Sequence, residues 1–124
     1  MTDKKKLGDR GEDYTARYLE KLGFHMVERN WHSRYGEIDI IAENEEYLLF
    51  VEVKTRKMGS MVSGEEAVTP QKQQKLRLTA ECFLQQYPIS KQPRFDVASL
   101  VVTENGEKLL NFTYYEAAFS GESR

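Results

Sequence analysis

Three ionisable residues, Asp39, Glu52 and Lys54, lie within segments that otherwise consist largely of Ile, Val, Leu and Phe. The segments are residues 36–41 and 50–56. Apolar side chains are expected at such positions, because an unpaired charge is costly to bury. Polar residues that interrupt an otherwise consistent strand tend to mark function. Two carboxylates can hold a hard divalent ion. Together with a neighbouring lysine, such an ion can act on a phosphodiester bond.

The alternation of side chains predicts that these residues share one face of a β-hairpin. Successive side chains of a strand point to opposite faces, and a two-residue loop, here residues 45–46, is the commonest hairpin connection. The resulting pairs are Ile41 with Phe50, Asp39 with Glu52, and Glu37 with Lys54. Opposed carboxylates repel each other. Asp39 and Glu52 therefore require a cation between them, either Lys54 or a divalent ion such as Mg²⁺ or Mn²⁺.

Glu12 is a further carboxylate that lacks a partner within its own helix. Apolar residues recur at three- and four-residue spacing over residues 8–22, which predicts a helix. The residues three and four positions after Glu12 are Thr15 and Ala16. A solvated carboxylate near a helix N-terminus is the simplest interpretation of Glu12 alone. It gains a functional meaning only if another element brings a metal or a cation to it.

Hydrophobic periodicity predicts an α/β fold with the element order α-β-β-β-α-β-β. The predicted strands are residues 24–31, 37–43, 47–56, 95–102 and 108–115. A Thr69 cap and Pro70 begin a second helix that ends near residue 87. This order predicts a mixed five-stranded sheet with helices on both faces. We expect one domain over residues 1–124, with flexible tails at 1–6 and 117–124 and a flexible loop at 59–64.

The composition excludes several classes of protein. The 124 residues are 40% hydrophobic and 31% charged, as in ordinary globular domains. No apolar run is long enough to span a membrane, and no secretory signal follows the N-terminal lysines. The single cysteine, Cys82, favours a reducing compartment, so we expect a cytoplasmic protein. The net charge of −2 argues against nonspecific coating of nucleic acid, but residues 54–77 carry six basic and only two acidic side chains.

The arrangement of Asp39, Glu52 and Lys54 resembles the PD-(D/E)xK signature of restriction-endonuclease-like nucleases, whose shared core has the same element order. Ile38 stands where that signature has its proline. From about residue 8 to residue 102 the chain also resembles the YraN family of small bacterial proteins. That resemblance is carried by Gly11-Glu12, Asn30, Arg34, Gly36 to Asp39, Phe50 to Lys54, Arg56, Val68, Lys72 and Arg94 to Val97. The family is related in fold to archaeal Holliday-junction resolvases. The resemblance thus implies a restriction-endonuclease-like fold and catalytic roles for Glu12, Asp39, Glu52 and Lys54.

Residues and resemblance together predict a metal-dependent endonuclease that hydrolyses DNA, with branched DNA as a candidate substrate. The expected ligands of Mg²⁺ or Mn²⁺ are Asp39, Glu52, the Val53 carbonyl and Glu12, the last directly or through water. Lys54 is expected to orient or deprotonate the attacking water, with Glu37 as its partner. The candidate contacts to DNA phosphates are Arg34, Arg56, Lys72 and Lys75.

Two interpretations from other classes stay open. A noncatalytic nucleic-acid-binding module on the same fold would bind DNA without a divalent ion. A protein-interaction subunit would use the strand carboxylates in internal ion pairs with Lys54 and Arg56. Neither a membrane nor a small-molecule cofactor is expected as a partner. The sequence leaves homodimerisation open, although symmetric cutting of a DNA junction would require two sites.

Overall fold

Two helices and one five-stranded sheet make up the fold, in a computed structural model that describes residues 3–59 and 68–121. The helices are α1 (Asp3–Lys21) and α2 (Pro70–Gln86). The strands are β1 (His25–Ser33), β2 (Gly36–Glu43), β3 (Tyr47–Lys57), β4 (Gln92–Val102) and β5 (Leu109–Phe119). This order confirms the predicted sequence of elements.

The strands form one mixed sheet in the spatial order β1-β2-β3-β4-β5. Neighbouring strands are antiparallel except β3 and β4, which are parallel along their full length. A parallel pair needs a crossover connection, and α2 lies within it. In the β2–β3 hairpin Ile41 pairs with Phe50, as predicted. The Asn44 N–H donates to the Tyr47 carbonyl at 3.0 Å, so residues 45–46 form the turn.

Each face of the sheet buries an apolar core under one helix, which confirms the predicted layers. The buried residues under α1 are Ala16, Leu19, Phe24, Ile40, Ala42, Leu49, Val51, Ala98 and Leu100. Those under α2 are Ile38, Ile41, Leu48, Phe50, Leu76, Ala80, Phe83 and Phe95. Phe83 anchors α2, since its ring centroid lies 5.3 Å from that of Trp31 and 6.0 Å from that of Phe50.

The start of α2 follows from its sequence. Pro70 is the first helical residue, where its missing N–H leaves no hydrogen bond unmade. Thr69 Oγ1 accepts a hydrogen bond from the backbone N–H of Lys72 at 3.2 Å. The predicted cap is therefore confirmed.

Asp96 fastens β5 to β4. Its fully buried carboxylate accepts two hydrogen bonds from Arg94, each 2.9 Å long. The Tyr114 hydroxyl donates to it at 2.7 Å and the Ala117 N–H at 2.9 Å. A buried charge is tolerated when it is paired and its remaining lone pairs are used. Burial and the neighbouring Asp96 both raise the pKa of Tyr114, so its hydroxyl stays protonated as a donor.

Several elements extend beyond their predicted ends. α1 begins at Asp3 and β5 continues to Phe119, so the helix and the strand include residues 3–6 and 117–119 of the expected tails. The flexible loop expected at residues 59–64 lies, from residue 60 onward, outside the described residues. Among the described residues, 3–59 and 68–121, no helix is long and apolar enough to cross a membrane.

Candidate functional site

The strands β2 and β3 separate at the point where Asp39 lies. Their paired residues run from Glu43 and Leu48 to Ile40 and Val51. Beyond that point each strand keeps only its neighbour on the other side, which is β1 for β2 and β4 for β3. In the gap, Asp39 Oδ2 accepts a 2.7 Å hydrogen bond from the N–H of Val53. The Asp39 carboxylate therefore takes the place of a backbone acceptor between the two strands.

The alternation predicted for β2 is wrong beside this gap. It places Ile38 and Ile40 on the same face of the sheet. In the structure, Ile38 packs with Ile41 in the core under α2, whereas Ile40 packs in the core under α1. The regular alternation of side chains between the two faces is therefore interrupted at Asp39. The predicted pairing of Glu37 with Lys54 assumed that the β2–β3 register continues past Ile40, where it ends.

Asn30 of β1 lies opposite Asp39 and marks the same irregularity. It falls between the residues that pair with Ile40 and Ile38, and its φ is +51°. Asparagine is one of the few residues besides glycine that adopt this left-handed conformation. The sequence signal was an asparagine within a strand, which on its own predicts no role.

Asp39 and Glu52 lie close enough to affect each other's ionisation, although the strand pairing ends at Ile40 and Val51, before the predicted pair of Asp39 with Glu52. Burial raises the pKa of Asp39, and repulsion by the Glu52 carboxylate raises it further, to about 8. The hydrogen bond from Val53 opposes this rise, while Glu12 adds to it. Asp39 therefore holds a proton at neutral pH when no cation is present. This behaviour is typical of two carboxylates that share one site.

Glu52 is buried, and the ammonium groups of two lysines lie next to the same oxygen of its carboxylate. Its Oε1 lies 3.5 Å from Lys54 Nζ and 3.2 Å from Lys72 Nζ. Burial lowers the pKa of Lys54, and the neighbouring Lys72 lowers it further, whereas Glu52 raises it. Lys72, expected only as a contact to flanking phosphates, thus lies inside the site. The sequence signal for this position was weak, because Lys72 and Lys75 are both near the start of α2.

Gly11 allows α1 to approach β3 closely enough to bring Glu12 to the site. A Cβ at Gly11 would overlap the Oγ1 of Thr55 and lie 3.3 Å from its Cβ. The Thr55 Oγ1 is itself buried without a hydrogen-bond partner among the described residues. The helix therefore packs against β3 through backbone, with Glu12 as the next residue.

The cation that Glu12 lacks in its own helix comes from β1. Arg29 Nη2 lies 3.2 Å from Glu12 Oε1, and Asn30 Nδ2 donates to the same oxygen at 3.1 Å. Arg29 also contacts Asp13 at 2.7 Å. Burial raises the pKa of Glu12, and the hydrogen bonds from Arg29 and Asn30 oppose that rise. The sequence offered no signal for Arg29, because its distance from Glu12 depends on the packing of α1 against β1.

The other predicted site residues lie outside this cluster. The Glu37 carboxylate is 3.8 Å from the His32 imidazole. Among the described residues Glu37 forms no ion pair with Lys54, which pairs with Glu52 instead. Arg34 is exposed and donates to the Tyr35 hydroxyl at 2.7 Å. Lys75 is exposed about one turn beyond Lys72, and Arg56 is half-buried on β3.

Asp39 and Glu52 have the donor chemistry for a hard divalent ion. Two oxygen ligands that repel each other gain stability from a cation between them, and Mg²⁺ usually keeps several waters beside one or two carboxylates. Within residues 3–59 and 68–121, no three carboxylate, imidazole or thiol groups converge on a common point. Asp39 and Glu52 raise each other's cost of ionisation, which an ion between them would relieve, so they are the two residues that would hold such an ion.

Comparison with known proteins places the chain in a family. The sequence matches the family described as "Uncharacterised protein family UPF0102" over residues 11–100. A UPF0102 protein of Syntrophomonas wolfei is 43% identical over 108 residues, 86% of this chain and 93% of the relative. One from Dictyoglomus turgidum is 39% identical over 116 residues, 93% of this chain and 98% of the relative. A third, from Rhodococcus jostii, is 46% identical over 97 residues, 77% and 82% of the two chains. The chain therefore belongs to the UPF0102 family, which is the YraN family that its motifs predict.

Proposed function

We propose that this protein is a metal-dependent nuclease that hydrolyses phosphodiester bonds in DNA. The observation that carries the proposal is the pair of half-buried Asp39 and buried Glu52 at the gap between β2 and β3, close enough to affect each other's ionisation. Burial and then repulsion by Glu52 raise the pKa of Asp39 to about 8, so ionising Asp39 costs stability in the folded protein. Perturbed carboxylates beside lysines are typical of catalytic sites.

Each residue of the cluster has a separate task in this proposal. Asp39 and Glu52 would hold Mg²⁺ or Mn²⁺, with the Val53 carbonyl as a further candidate oxygen. The ion would polarise the scissile phosphate and make a bound water easier to deprotonate. Lys54 would orient the attacking water and neutralise charge on the scissile phosphate. Glu12, held in place by Arg29 and Asn30, would accept a hydrogen bond from a water at the site.

The basic residues around the cluster favour nucleic acid as the substrate. Lys72 and Lys75 follow each other along the first turns of α2, and Arg56 lies two residues beyond Lys54 on β3. Arg34 lies in the turn between β1 and β2. Cations at these places would contact phosphates on either side of the scissile bond, which positions DNA without reading its sequence. Branched DNA is the candidate substrate that the resemblance to junction resolvases suggests.

The test is a cleavage assay on linear, branched and single-stranded DNA with Mg²⁺, Mn²⁺ or a chelator. The proposal requires cleavage that depends on the ion and is lost in Asp39→Asn. The matched control is Glu45→Gln, which changes an exposed carboxylate in the turn of the same hairpin and should retain activity. Absence of ion-dependent cleavage on all three substrates, with correctly folded protein, would refute the nuclease function.

A noncatalytic DNA-binding module is the second candidate. It is favoured by the ion pairs that already satisfy Glu52 and Glu12, through Lys54, Lys72 and Arg29. Such a module would bind DNA in the presence of a chelator, and its affinity would fall with rising salt. Binding that is unaffected by Asp39→Asn, together with no cleavage, would support this candidate over the nuclease.

A further inference from the structure

Lys72 occupies a position where a cation is unfavourable for its own helix. It is the third residue of α2, next to the end at which the helix dipole is positive. The first turn of α2 contains no acidic residue that could compensate. A lysine at this place weakens the helix slightly, so its presence points to a role for the side chain elsewhere.

The contact of the Lys72 side chain is Glu52. Lys72 Nζ lies 3.2 Å from Glu52 Oε1, an oxygen that Lys54 Nζ also approaches to 3.5 Å. The side chain of Glu52 is 7% exposed, that of Lys54 24% and that of Lys72 35%. One buried carboxylate oxygen thus has two ammonium partners, of which Lys72 is the more exposed and comes from a different element.

We propose that Lys72 is an exchangeable counterion of Glu52. It neutralises Glu52 while the site holds no divalent ion, leaves when the ion binds, and then becomes available to a phosphate of the substrate. This inference rests on the proposed function. Two ammonium groups and a divalent ion around one oxygen would repel one another strongly in a partly buried site.

Lys72 rather than Lys54 is the group that can leave. Lys54 is on the same strand as Glu52, two residues away, and is the less exposed of the two lysines. Lys72 reaches the site from α2 along a flexible stem whose charged end can turn to solvent without any movement of the backbone. The released ammonium would stay near the scissile phosphate, because Thr69 and Pro70 hold the start of α2 in place.

The direct test is the reactivity of lysine amines in the unaltered protein, measured by mass spectrometry after brief acetylation. Without divalent ions, Lys72 should react more slowly than Lys75, which is exposed about one turn further along α2. Saturating Mn²⁺ should raise the rate at Lys72 about fivefold, the strength typical of a partly exposed ion pair. The rate at Lys75 should stay unchanged. An unchanged or slower reaction at Lys72 in saturating Mn²⁺ would overturn the proposal.

Calorimetric titration with Mn²⁺ provides a second measurement. Lys72→Met keeps most of the aliphatic stem and removes the charge, so it should bind Mn²⁺ about fivefold more tightly than the unaltered protein. Lys75→Met is the matched control for loss of a nearby positive charge and should change the affinity by less than about twofold. Equal or weaker binding of Mn²⁺ by Lys72→Met would contradict the exchange.

The outcomes separate this inference from the nuclease function. Release of Lys72 by Mn²⁺ without any DNA cleavage supports the exchange and refutes the nuclease. Cleavage of DNA while Lys72 stays on Glu52 in saturating Mn²⁺ refutes the exchange alone. Absence of Mn²⁺ binding by both the unaltered protein and Lys72→Met overturns both.

Discussion

Replacing Asp39 with asparagine should stabilise the protein, by an amount that grows with pH. Asparagine keeps an oxygen that can accept the Val53 hydrogen bond but has no charge to bury. One pKa unit corresponds to about 1.4 kcal/mol. The rise in the pKa of Asp39 from 3.8 to about 8 therefore sets an upper limit of ~6 kcal/mol on the cost of ionising Asp39 in the folded state. Relaxation and partial solvation reduce such costs, so we expect about 2 kcal/mol.

The pH range follows from the direction of the shift. A carboxyl whose pKa is raised on folding contributes its stability fully below its unfolded pKa, and that contribution is lost as the pH rises through the folded pKa. The advantage of Asp39→Asn should therefore be smallest near pH 4, increase as the pH rises above the unfolded pKa of 3.8, and level off above the folded pKa, whose upper limit is about 8. Its full size of about 2 kcal/mol corresponds to a rise in melting temperature of about 8 °C in a domain of this length.

Thermal unfolding followed by circular dichroism between pH 4 and pH 9 measures this difference. Glu45→Gln changes an exposed carboxylate in the turn of the same hairpin, so it is the control and should change the stability by less than about 0.5 kcal/mol. Saturating Mg²⁺ at pH 8 should reduce the advantage of Asp39→Asn, because the ion stabilises only the form that binds it. A constant difference across the pH range, or one that shrinks toward pH 9, would refute the buried carboxylate pair.

The remaining predictions concern the packing that positions the site, and all are measured by urea unfolding. Gly11→Ala should destabilise the protein by about 1–3 kcal/mol, because the new methyl group would overlap a β3 side chain. Gly8→Ala, in the same helix but with open space around it, should be neutral or stabilising by about 0.5–1 kcal/mol; equal losses in the two variants would contradict the close approach of α1. Arg94→Met should cost about 3–5 kcal/mol, because it leaves the buried carboxylate of Asp96 without its cation, and a loss below 1 kcal/mol would contradict the ion pair between Arg94 and Asp96. Thr69→Ala should cost about 1 kcal/mol through loss of the helix cap, and an unchanged midpoint would exclude that cap.

The fold was predictable because its signals are local. The turn at residues 45–46 sets the β2–β3 register, so the pairing of Ile41 with Phe50 follows from loop length alone. The cap at Thr69 and the proline after it place the start of α2. The parallel pairing of β3 with β4 follows from the crossover helix between them. The turn and the helix start depend on residues that are neighbours in the chain, whereas the β3–β4 pairing joins residues 45 positions apart and follows from the connection between the strands.

The irregular part of the site was not predictable in the same way. The reversed facing of Ile38 lies beside the left-handed backbone of Asn30, a residue of another strand. The separation of β2 and β3 at Asp39 depends on the partners that each strand has on its other side. A rule of simple alternation includes neither the backbone of a neighbouring strand nor the pairing on the outer side of each strand. It therefore places Glu37 beside Lys54, whereas in the structure His32 lies beside Glu37.

The sequence by itself determined the types of groups available for chemistry and placed Asp39 and Glu52 on the two strands of one hairpin. Only the tertiary structure decided which cations accompany them. Lys72 reaches Glu52 through the packing of α2, and Arg29 reaches Glu12 across the contact between β1 and α1. These pairs join residues 17 to 20 positions apart in the chain. Their meeting depends on how the helices pack against the sheet, and side-chain spacing along a single element contains no information about that packing.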